Sequence, residues 1–261
     1  MNKKSSSTIS AVKVYEVTAY LDTFLRTSHI KDYSCNGLQV QGTDVIRKIA
    51  LVVDASMQAF ELAVSNECQM IIAHHGIIWG GITNIRNTLR SQIKFLIENN
   101  LNLYASHLPL DLHPELGNNA QLAKMLQLKN LKPFGQYKGI DIGFEGTFVK
   151  PVTLNKLVST LCTKLDSECT VLPFGRKHIR NVAVVSGSAG DTLNEAIEKE
   201  VDCYITGEPS HQNYHAALEG KINVIYAGHY HTEKAGVQAL GLHLEKTFNI
   251  KTQFLDIPTT I

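Results

Sequence analysis

The sequence predicts an α/β protein of two interlocked lobes, with mostly parallel sheets covered by helices. Short apolar runs alternate with amphipathic helical segments along the first half of the chain, and the same alternation returns in the second half. Strands that alternate with helices are typical of parallel sheets. Hydrophobic residues make up 44% of the 261 residues and charged residues 19%, which is an ordinary globular composition.

The first half begins with a helix and continues with three buried strands. Apolar residues between Val12 and Leu25 recur at helical spacing. Ser56 is placed to cap a second helix, and residues 38–42 alternate like a short strand. The other predicted strands are 49–54, 70–73 and 101–105, with helices at 56–64 and 91–97 between them.

The second half has a β-rich segment and then further strands and helices. The boundary is placed in residues 127–150, which predicts lobes of 9–126 plus 224–261 and of 127–223 within one unit of 1–261. The small loop 186–190 lacks the lysine of a phosphate-binding loop, so it is interpreted as a tight turn. The predicted elements are a β-rich stretch at 133–149, strands at 171–172, 182–185, 203–206 and 224–227, and helices near 123–126, at 154–165, 193–200 and 233–248.

Charge, hydropathy and cysteine usage exclude several classes of protein. A formal net charge of +1 gives no general electrostatic reason to bind nucleic acid or an anionic membrane. No apolar run reaches the roughly 20 residues that span a bilayer. The polar start, residues 1–8, is interpreted as a frayed tail and not a secretory signal. Five dispersed cysteines without a C-x-x-C pair indicate reduced thiols in the cytoplasm.

The strand at 70–73 leads directly into two adjacent histidines. His74 and His75 precede Gly76, whose conformational freedom permits the strand to break and both rings to face one place. Ligands of α/β proteins commonly bind beyond such strand ends. The alternative is one buried, hydrogen-bonded histidine beside an exposed one.

Two other strands also end in ionisable residues. One is followed by His107 and Asp111, and another by His229, His231 and Glu233. The strand ends of a parallel sheet lie on one edge, so these groups are expected to converge. His229 and Glu233 stand four residues apart, the spacing of one helical face. Alternatively, Glu233 only stabilises the first turn of a helix through the helix dipole, and His229 is an ordinary polar residue.

Convergence of imidazoles and carboxylates predicts a metal centre. This donor set suits zinc, iron(II), manganese or nickel better than calcium. Five or six such ligands exceed the need of one structural zinc, and carboxylates can bridge two ions. Two divalent ions per chain are therefore predicted.

Four parts of the chain carry recognisable motifs: Cys35–Val40, His74–Gly76 with Trp79, His107–Asp111, and Gly228–His229 with Thr232–Glu233. Together they resemble the Nif-three-like family of dinuclear-metal-centre proteins, often catalogued as type 2 GTP cyclohydrolase I. The resemblance runs through nearly the whole chain, in the family's order and in its short form without an inserted domain. It implies a Nif-three-like fold and a toroidal homohexamer. Tyr230 departs from the pattern, since many members have a second histidine there. The metal ligands that the resemblance implies are His74, His75, Asp111, His229 and Glu233.

The expected activity is that of a metal-dependent hydrolase acting on a nucleotide or another heterocycle. For this activity the resemblance implies a reaction, the hydrolytic opening of the guanine imidazole ring of GTP with release of formate. Asp111 and Glu233 would bridge the ions, and His107 or Glu208 would move protons. Asn36, Trp79 and His211 are candidates for substrate binding. Each of them also has a structural interpretation. Asn36 fits an ordinary turn, and Trp79 fits packing at the rim of a site. In the segment around His211, Ser210 is placed to cap a helix.

Two other functions fit the same residues. One is a metal-binding ring protein without enzymatic activity that regulates or binds proteins or nucleic acid. The near-neutral charge disfavours strong non-specific DNA binding, although a ring can concentrate basic residues on one face. The other is a protein whose metals are purely structural.

Overall fold

A computed structural model describes residues 10–260, which form two compact units. Within the described residues, the first unit consists of 10–109 and 237–257, and the second of 110–236 and 258–260. The predicted polar tail lies outside the described residues. The lobes proposed from the sequence stay a prediction.

The first unit contains a sheet whose central strands are buried. Its five strands are β2 Gly37–Val40, β4 Lys48–Asp54, β5 Met70–His75, β6 Asn102–Ala105 and β13 Lys251–Phe254; β1 Val12–Lys13 and β3 Val45–Ile46 form a separate pair. The strand order in the sheet is β13-β4-β5-β6-β2, parallel from β13 to β6 and antiparallel between β6 and β2. The predicted parallel strands of this half are confirmed, because continuous apolar runs suit strands covered on both faces.

The helices of the first unit are the predicted ones with small changes at their ends. They are α1 Val14–Phe24, α2 Met57–Ser65 and α3 Asn87–Glu98. The cap of α2 is confirmed, since the Ser56 hydroxyl accepts a hydrogen bond from the N–H of Ala59 at 3.2 Å. Helix α3 begins four residues before the predicted start at Ser91.

The second unit has a mixed sheet of six strands. The strands are β7 Lys129–Tyr137, β8 Ile140–Thr153, β9 Thr170–Pro173, β10 His178–Val184, β11 Cys203–Thr206 and β12 Asn223–Tyr226, and the helices are α5 Asn118–Met125, α6 Leu154–Leu165, α7 Leu193–Glu198 and α8 Asn213–Glu219. The strand order in the sheet is β7-β8-β10-β11-β12-β9. The parallel pairs of this sheet are β10 with β11 and β11 with β12. The pairs that involve β7, β8 or β9 are all antiparallel. Strand β12, placed in the first lobe by the sequence prediction, pairs with β11 of the second unit.

Two helices contain residues of both units: α4 Leu108–Asp111 and α9 His229–Phe248. The sequence predicts that the closing helix begins at Glu233, whereas α9 begins one turn earlier at His229. His229 and Glu233 are therefore both helical residues, and their spacing of four places them on one face of α9.

The five cysteines, all among residues 10–260, are free thiols. Among residues 10–260, none of the helices combines the length and the apolar character that a bilayer crossing requires.

Candidate metal-binding clusters

Three histidines meet at the carboxyl end of the first unit's sheet. His74 is fully buried, and His75 and His107 are partly buried. One ring nitrogen of each lies within 4.8 Å of the others. The ring centroids are 4.6 Å apart for His74 and His75, 5.1 Å for His74 and His107, and 5.5 Å for His75 and His107.

Acceptors fix the rings of the two adjacent histidines. Nδ1 of His74 lies 2.9 Å from the carbonyl oxygen of Ser106, and Nδ1 of His75 lies 2.8 Å from Oδ1 of Asp54. A carbonyl oxygen and a carboxylate only accept, so each Nδ1 carries the proton. Nε2 is then the nitrogen that each ring presents to a metal ion, the arrangement typical of histidine ligands.

The third histidine is held by a carboxylate that the sequence analysis missed. Nδ1 of His107 lies 3.0 Å from Oδ1 of Asp32. Burial raises the pKa of Asp32, but hydrogen bonding and charge attraction from His107, together with a bond from Asn36, outweigh it and leave this pKa well below its usual range. Asp32 is therefore ionised and fixes the same tautomer in His107. Its position in a turn gave no local sign of this role.

The role of Asp54 as a partner of His75 was also missed, although its place at a strand end could have indicated it. Asp54 is the last residue of β4 and lies opposite His75 in the register of the two parallel strands. Asp54 thus obeys the rule that identified the histidines, because the ends of neighbouring parallel strands lie at one edge.

Position 76 requires glycine for a different reason from the predicted one. A Cβ at Gly76 would lie 2.5 Å from the side-chain amide of Gln39 and 2.6 Å from Cβ of Ala105. Gly76 is not among the glycines with positive φ. The position therefore requires space and not unusual backbone angles. Oε1 of Gln39 fills that space and accepts the N–H groups of Ile77 and Ile78 at 2.8 and 3.2 Å.

Two predicted substrate-binding residues lie beside this cluster. The Trp79 ring meets the His107 ring edge-on at 5.1 Å, and its Nε1 donates to the carbonyl oxygen of Gly76 at 2.9 Å. Asn36 accepts the N–H of His107 at 2.8 Å and donates to Asp32 at 2.9 Å. Asn36 thus supports His107 directly; substrate contact by Asn36 and Trp79 stays a prediction.

The second unit carries a cluster of acids with one histidine. Glu233 is buried, and its Oε2 lies 3.0 Å from Nε2 of His229. Nδ1 of His229 forms a short hydrogen bond with Oε1 of Glu208. Burial lowers the pKa of His229, but its bonds and charge attraction to Glu233 and then Glu208 outweigh burial and raise it to about 9. Glu208 therefore lies directly against His229.

A second buried acid of this unit is Asp111. Its Oδ1 accepts a bond from Nδ2 of Asn118 at 2.8 Å and another from the Ser186 hydroxyl at 3.1 Å. Buried carboxylates are costly unless they bind donors or cations. Asp111 is thus held rigidly, as expected of a metal ligand.

The loop 186–190 positions the acids, a role that the sequence analysis missed. Gly187 has φ +66°, and a Cβ there would lie 2.2 Å from Oε1 of Glu233. Its N–H donates to Oγ1 of Thr232 at 3.0 Å. The tight turn predicted from the sequence therefore packs against the side chain of Glu233, which only glycine permits.

Other candidates lie further from these atoms. His231 directs Nδ1 to the carbonyl oxygen of Leu165 at 3.2 Å, and Tyr230 is buried. His211 is exposed, just before α8. Its predicted role in substrate binding stays a prediction, as do the roles of His107 and Glu208 in proton transfer.

The donor chemistry of both clusters fits divalent transition metals. Three imidazoles with fixed tautomers match the ligands of zinc and related ions, and a histidine with buried carboxylates suits iron(II) and manganese. The clusters can therefore bind metal, as the sequence predicts; the number and identity of the ions stay predictions.

Comparison with known proteins gives one consistent family. A family model described as Duf34/NIF3 (NGG1p interacting factor 3) matches residues 12–260. An Archaeoglobus fulgidus protein called GTP cyclohydrolase 1 type 2 homolog is 45% identical over 246 residues, 94% of this chain and 98% of the relative. A Deinococcus radiodurans protein of the same name is 41% identical over 244 residues, 94% of this chain and 93% of the relative.

Solved structures have the same fold. The protein ybgI, described as of unknown function, superposes with a TM-score of 0.90 at 34% identity, over 96% of this chain and 100% of that one. TTHA1606 from Thermus thermophilus gives a TM-score of 0.88 at 37% identity, with the same coverage. The predicted α/β fold class is confirmed.

Proposed function

Because the chain belongs to the Duf34/NIF3 family, we propose that it is a metal-dependent hydrolase that opens the imidazole ring of GTP and releases formate. The observation that carries the metal dependence is the histidine cluster, in which an acceptor holds Nδ1 of each ring. The names of the relatives support the reaction.

The proposed ligands are those that the family resemblance implies. Divalent ions, when bound, supply Lewis acidity that activates water and polarises the attacked carbon. The assignment of all five ligands to one dinuclear centre stays a prediction. These ligands are His74, His75, Asp111, His229 and Glu233.

Two side chains are suited to move protons. Asp32 holds the Nδ1–H of His107, so Nε2 of that ring can accept a proton from the attacking water and later deliver it to the departing nitrogen. Glu208 contacts Nδ1 of His229 and can stabilise positive charge on that ring. Ring opening consumes one water, and release of formate from the opened ring consumes a second.

The test is formate release from GTP by metal-replete protein and by an Asp111→Ala variant. We expect turnover in the unsubstituted protein and at least a 100-fold loss in the variant, with His178→Ala, an exposed histidine on β10, as the matched control. Circular dichroism establishes folding, and elemental analysis measures bound metal. Equal trace turnover in all three proteins would reject the GTP reaction.

Self-assembly is the second part of the proposal. The homohexamer implied by the family resemblance is tested by sedimentation equilibrium. If GTP is not turned over, a DNA titration at several salt concentrations tests the regulatory alternative, because binding through phosphate contacts weakens steeply with salt.

A further inference from the structure

An exposed aromatic side chain stands beside the histidine cluster of the first unit. Tyr33 is 65% exposed, and its ring centroid lies 6.3 Å from that of Trp79, with the two planes inclined at 32°. The Trp79 ring in turn lies 5.1 Å from the ring of His107. Tyr33 also directly follows Asp32, the partner of His107. The rings of Tyr33, Trp79 and His107 therefore form one series that leads from solvent to the histidine cluster.

Hydrogen bonds hold the two outer residues in place. An antiparallel bridge joins Ser34 to Trp79, and the N–H of Gly80 donates to the carbonyl oxygen of Tyr33 at 2.7 Å. The indole of Trp79 is fixed as well, because its Nε1 donates to the carbonyl oxygen of Gly76. Backbone pairing thus places Tyr33 next to Trp79, although the two residues belong to different loops.

Gly80 supports the outer end of the Tyr33 ring. It has φ +65°, and a Cβ there would lie 2.6 Å from Cε2 and 2.9 Å from Cζ of Tyr33. The lack of a side chain therefore lets the ring lie against the backbone of the second loop. Gly81 has φ +97°, but a Cβ there would meet nothing within 4 Å. Only the first of these two glycines provides space for the tyrosine.

This arrangement suits a ligand with a flat aromatic ring. Tyr33 gains little stability from burial, because most of its apolar ring stays in water. A third ring between two others needs about 7 Å, two van der Waals contacts, so the 6.3 Å separation excludes a sandwich and leaves stacking on an outer face. We propose that Tyr33 and Trp79 form a stacking platform for the purine base of the substrate.

The platform would contribute to the affinity for substrate and not to the chemical steps. A base that stacks equally in the ground state and in the transition state lowers KM and leaves kcat unchanged. Stacking on one aromatic side chain typically changes affinity by about 5-fold or more. The inference rests on the proposed function, because it takes a purine nucleotide as the substrate.

The fluorescence of Trp79 tests the platform without depending on turnover. Trp79 is the only tryptophan in the sequence, so the emission of the metal-replete protein reports on this position alone when it is excited where guanine absorbs little. GTP should quench the emission in a saturable titration, recorded directly after mixing. Inorganic triphosphate, which has no base, should leave the emission unchanged.

Substitutions of Tyr33 test its part in the platform. Tyr33→Ala should raise the apparent Kd for GTP and the KM of formate release by at least about 5-fold each, while the rate at saturating GTP is retained. Tyr33→Phe keeps the ring and should keep the affinity. Tyr15→Ala is the matched control, because Tyr15 on α1 is also 65% exposed.

The two adjacent glycines provide a second pair of variants. Gly80→Ala should reproduce the weaker GTP binding of Tyr33→Ala, because the new Cβ displaces the tyrosine ring. Gly81→Ala carries a similar backbone cost at positive φ and should bind GTP as the unsubstituted protein does. Equal GTP affinity in these two variants would count against the position assigned to the ring.

The results separate the platform from the reaction. Base-dependent quenching without formate release would support the platform and reject the GTP reaction. Formate release with the same KM in Tyr33→Ala and the unsubstituted protein would overturn the platform and leave the reaction standing. Equal quenching by GTP and inorganic triphosphate, or none by either, would also overturn the platform. A Tyr33→Ala protein that sediments as a smaller assembly and binds GTP normally would assign the exposed ring to a contact between copies of the chain instead.

Discussion

The carboxylate of Asp32 binds His107 although 75 residues separate them in sequence, with Oδ1 at 3.0 Å from Nδ1. Oδ2 of the same carboxylate accepts the N–H of Leu108 at 3.0 Å. Asp32 therefore fixes both the ring of His107 and the backbone that follows it. A histidine that transfers protons through Nε2 depends on such a partner to keep the proton of Nδ1 in place.

Replacement of Asp32 by asparagine tests this dependence. Asp32→Asn removes the charge that holds the His107 tautomer, so we expect formate release from GTP to slow about 10- to 100-fold while the metal content stays the same. A formate assay at saturating GTP measures the rate, and elemental analysis measures the metal. Asp44→Asn, at an exposed carboxylate of the same unit, is the control. Unchanged turnover in a folded Asp32→Asn protein would show that His107 needs no such partner.

Gly187 gives a second prediction. Gly187→Ala would place Cβ 2.2 Å from Oε1 of Glu233, so that carboxylate must move. We expect a loss of metal bound by the acid cluster, measured by elemental analysis after dialysis.

Gly139 provides a matched control for that substitution. It also has positive φ, at +89°, but a Cβ there would meet nothing within 4 Å. Both alanine variants carry a backbone cost of roughly 1 kcal/mol, and only Gly187→Ala displaces Glu233. Equal metal content in the two variants would contradict the role assigned to Gly187.

Replacement of Asn102 is expected to lower the stability of the protein strongly. This fully buried side chain accepts the N–H of Gly42 and donates to the carbonyl oxygens of Thr43 and Gln69, each at 2.9 Å. Asn102→Ala leaves these buried groups without their partner, so the free energy of unfolding should fall by about 2 to 4 kcal/mol. Urea unfolding measures it, and exposed Asn84→Ala should change it by less than about 0.5 kcal/mol.

Glu195 is expected to account for part of the stability that the protein loses at low pH. Burial raises its pKa, but bonds from the N–H of Gln136 and from Lys199 outweigh burial, and the net pKa lies below its usual value. A lowered folded-state pKa stabilises the protein above the unfolded-state pKa, and the contribution is lost as the pH falls through the folded-state value.

The matching measurement is urea unfolding between pH 6 and pH 3 at about constant ionic strength. Below roughly pH 4.5, the free energy of unfolding should fall less in Glu195→Gln than in the unsubstituted protein. The difference should not exceed about 1 kcal/mol, because the ion pair between Glu195 and Lys199 is partly exposed. Parallel stability curves for the two proteins would rule out this contribution.

Local sequence was sufficient for most elements and for the chemistry at strand ends. The apolar runs predict β4 and β5, and Ser56 marks the start of α2, because period, propensity and capping act within a few residues. The same reasoning selected His74 and His75, which the structure brings together with His107.

Only the tertiary structure decided which distant groups support these side chains. It assigned Asp32 to His107 and Gly187 to the space beside Glu233, paired β12 with β11, and showed antiparallel strands in the second sheet. Strand order and hydrogen-bond partners depend on burial and register between segments far apart in the chain, and a local residue pattern does not contain that information.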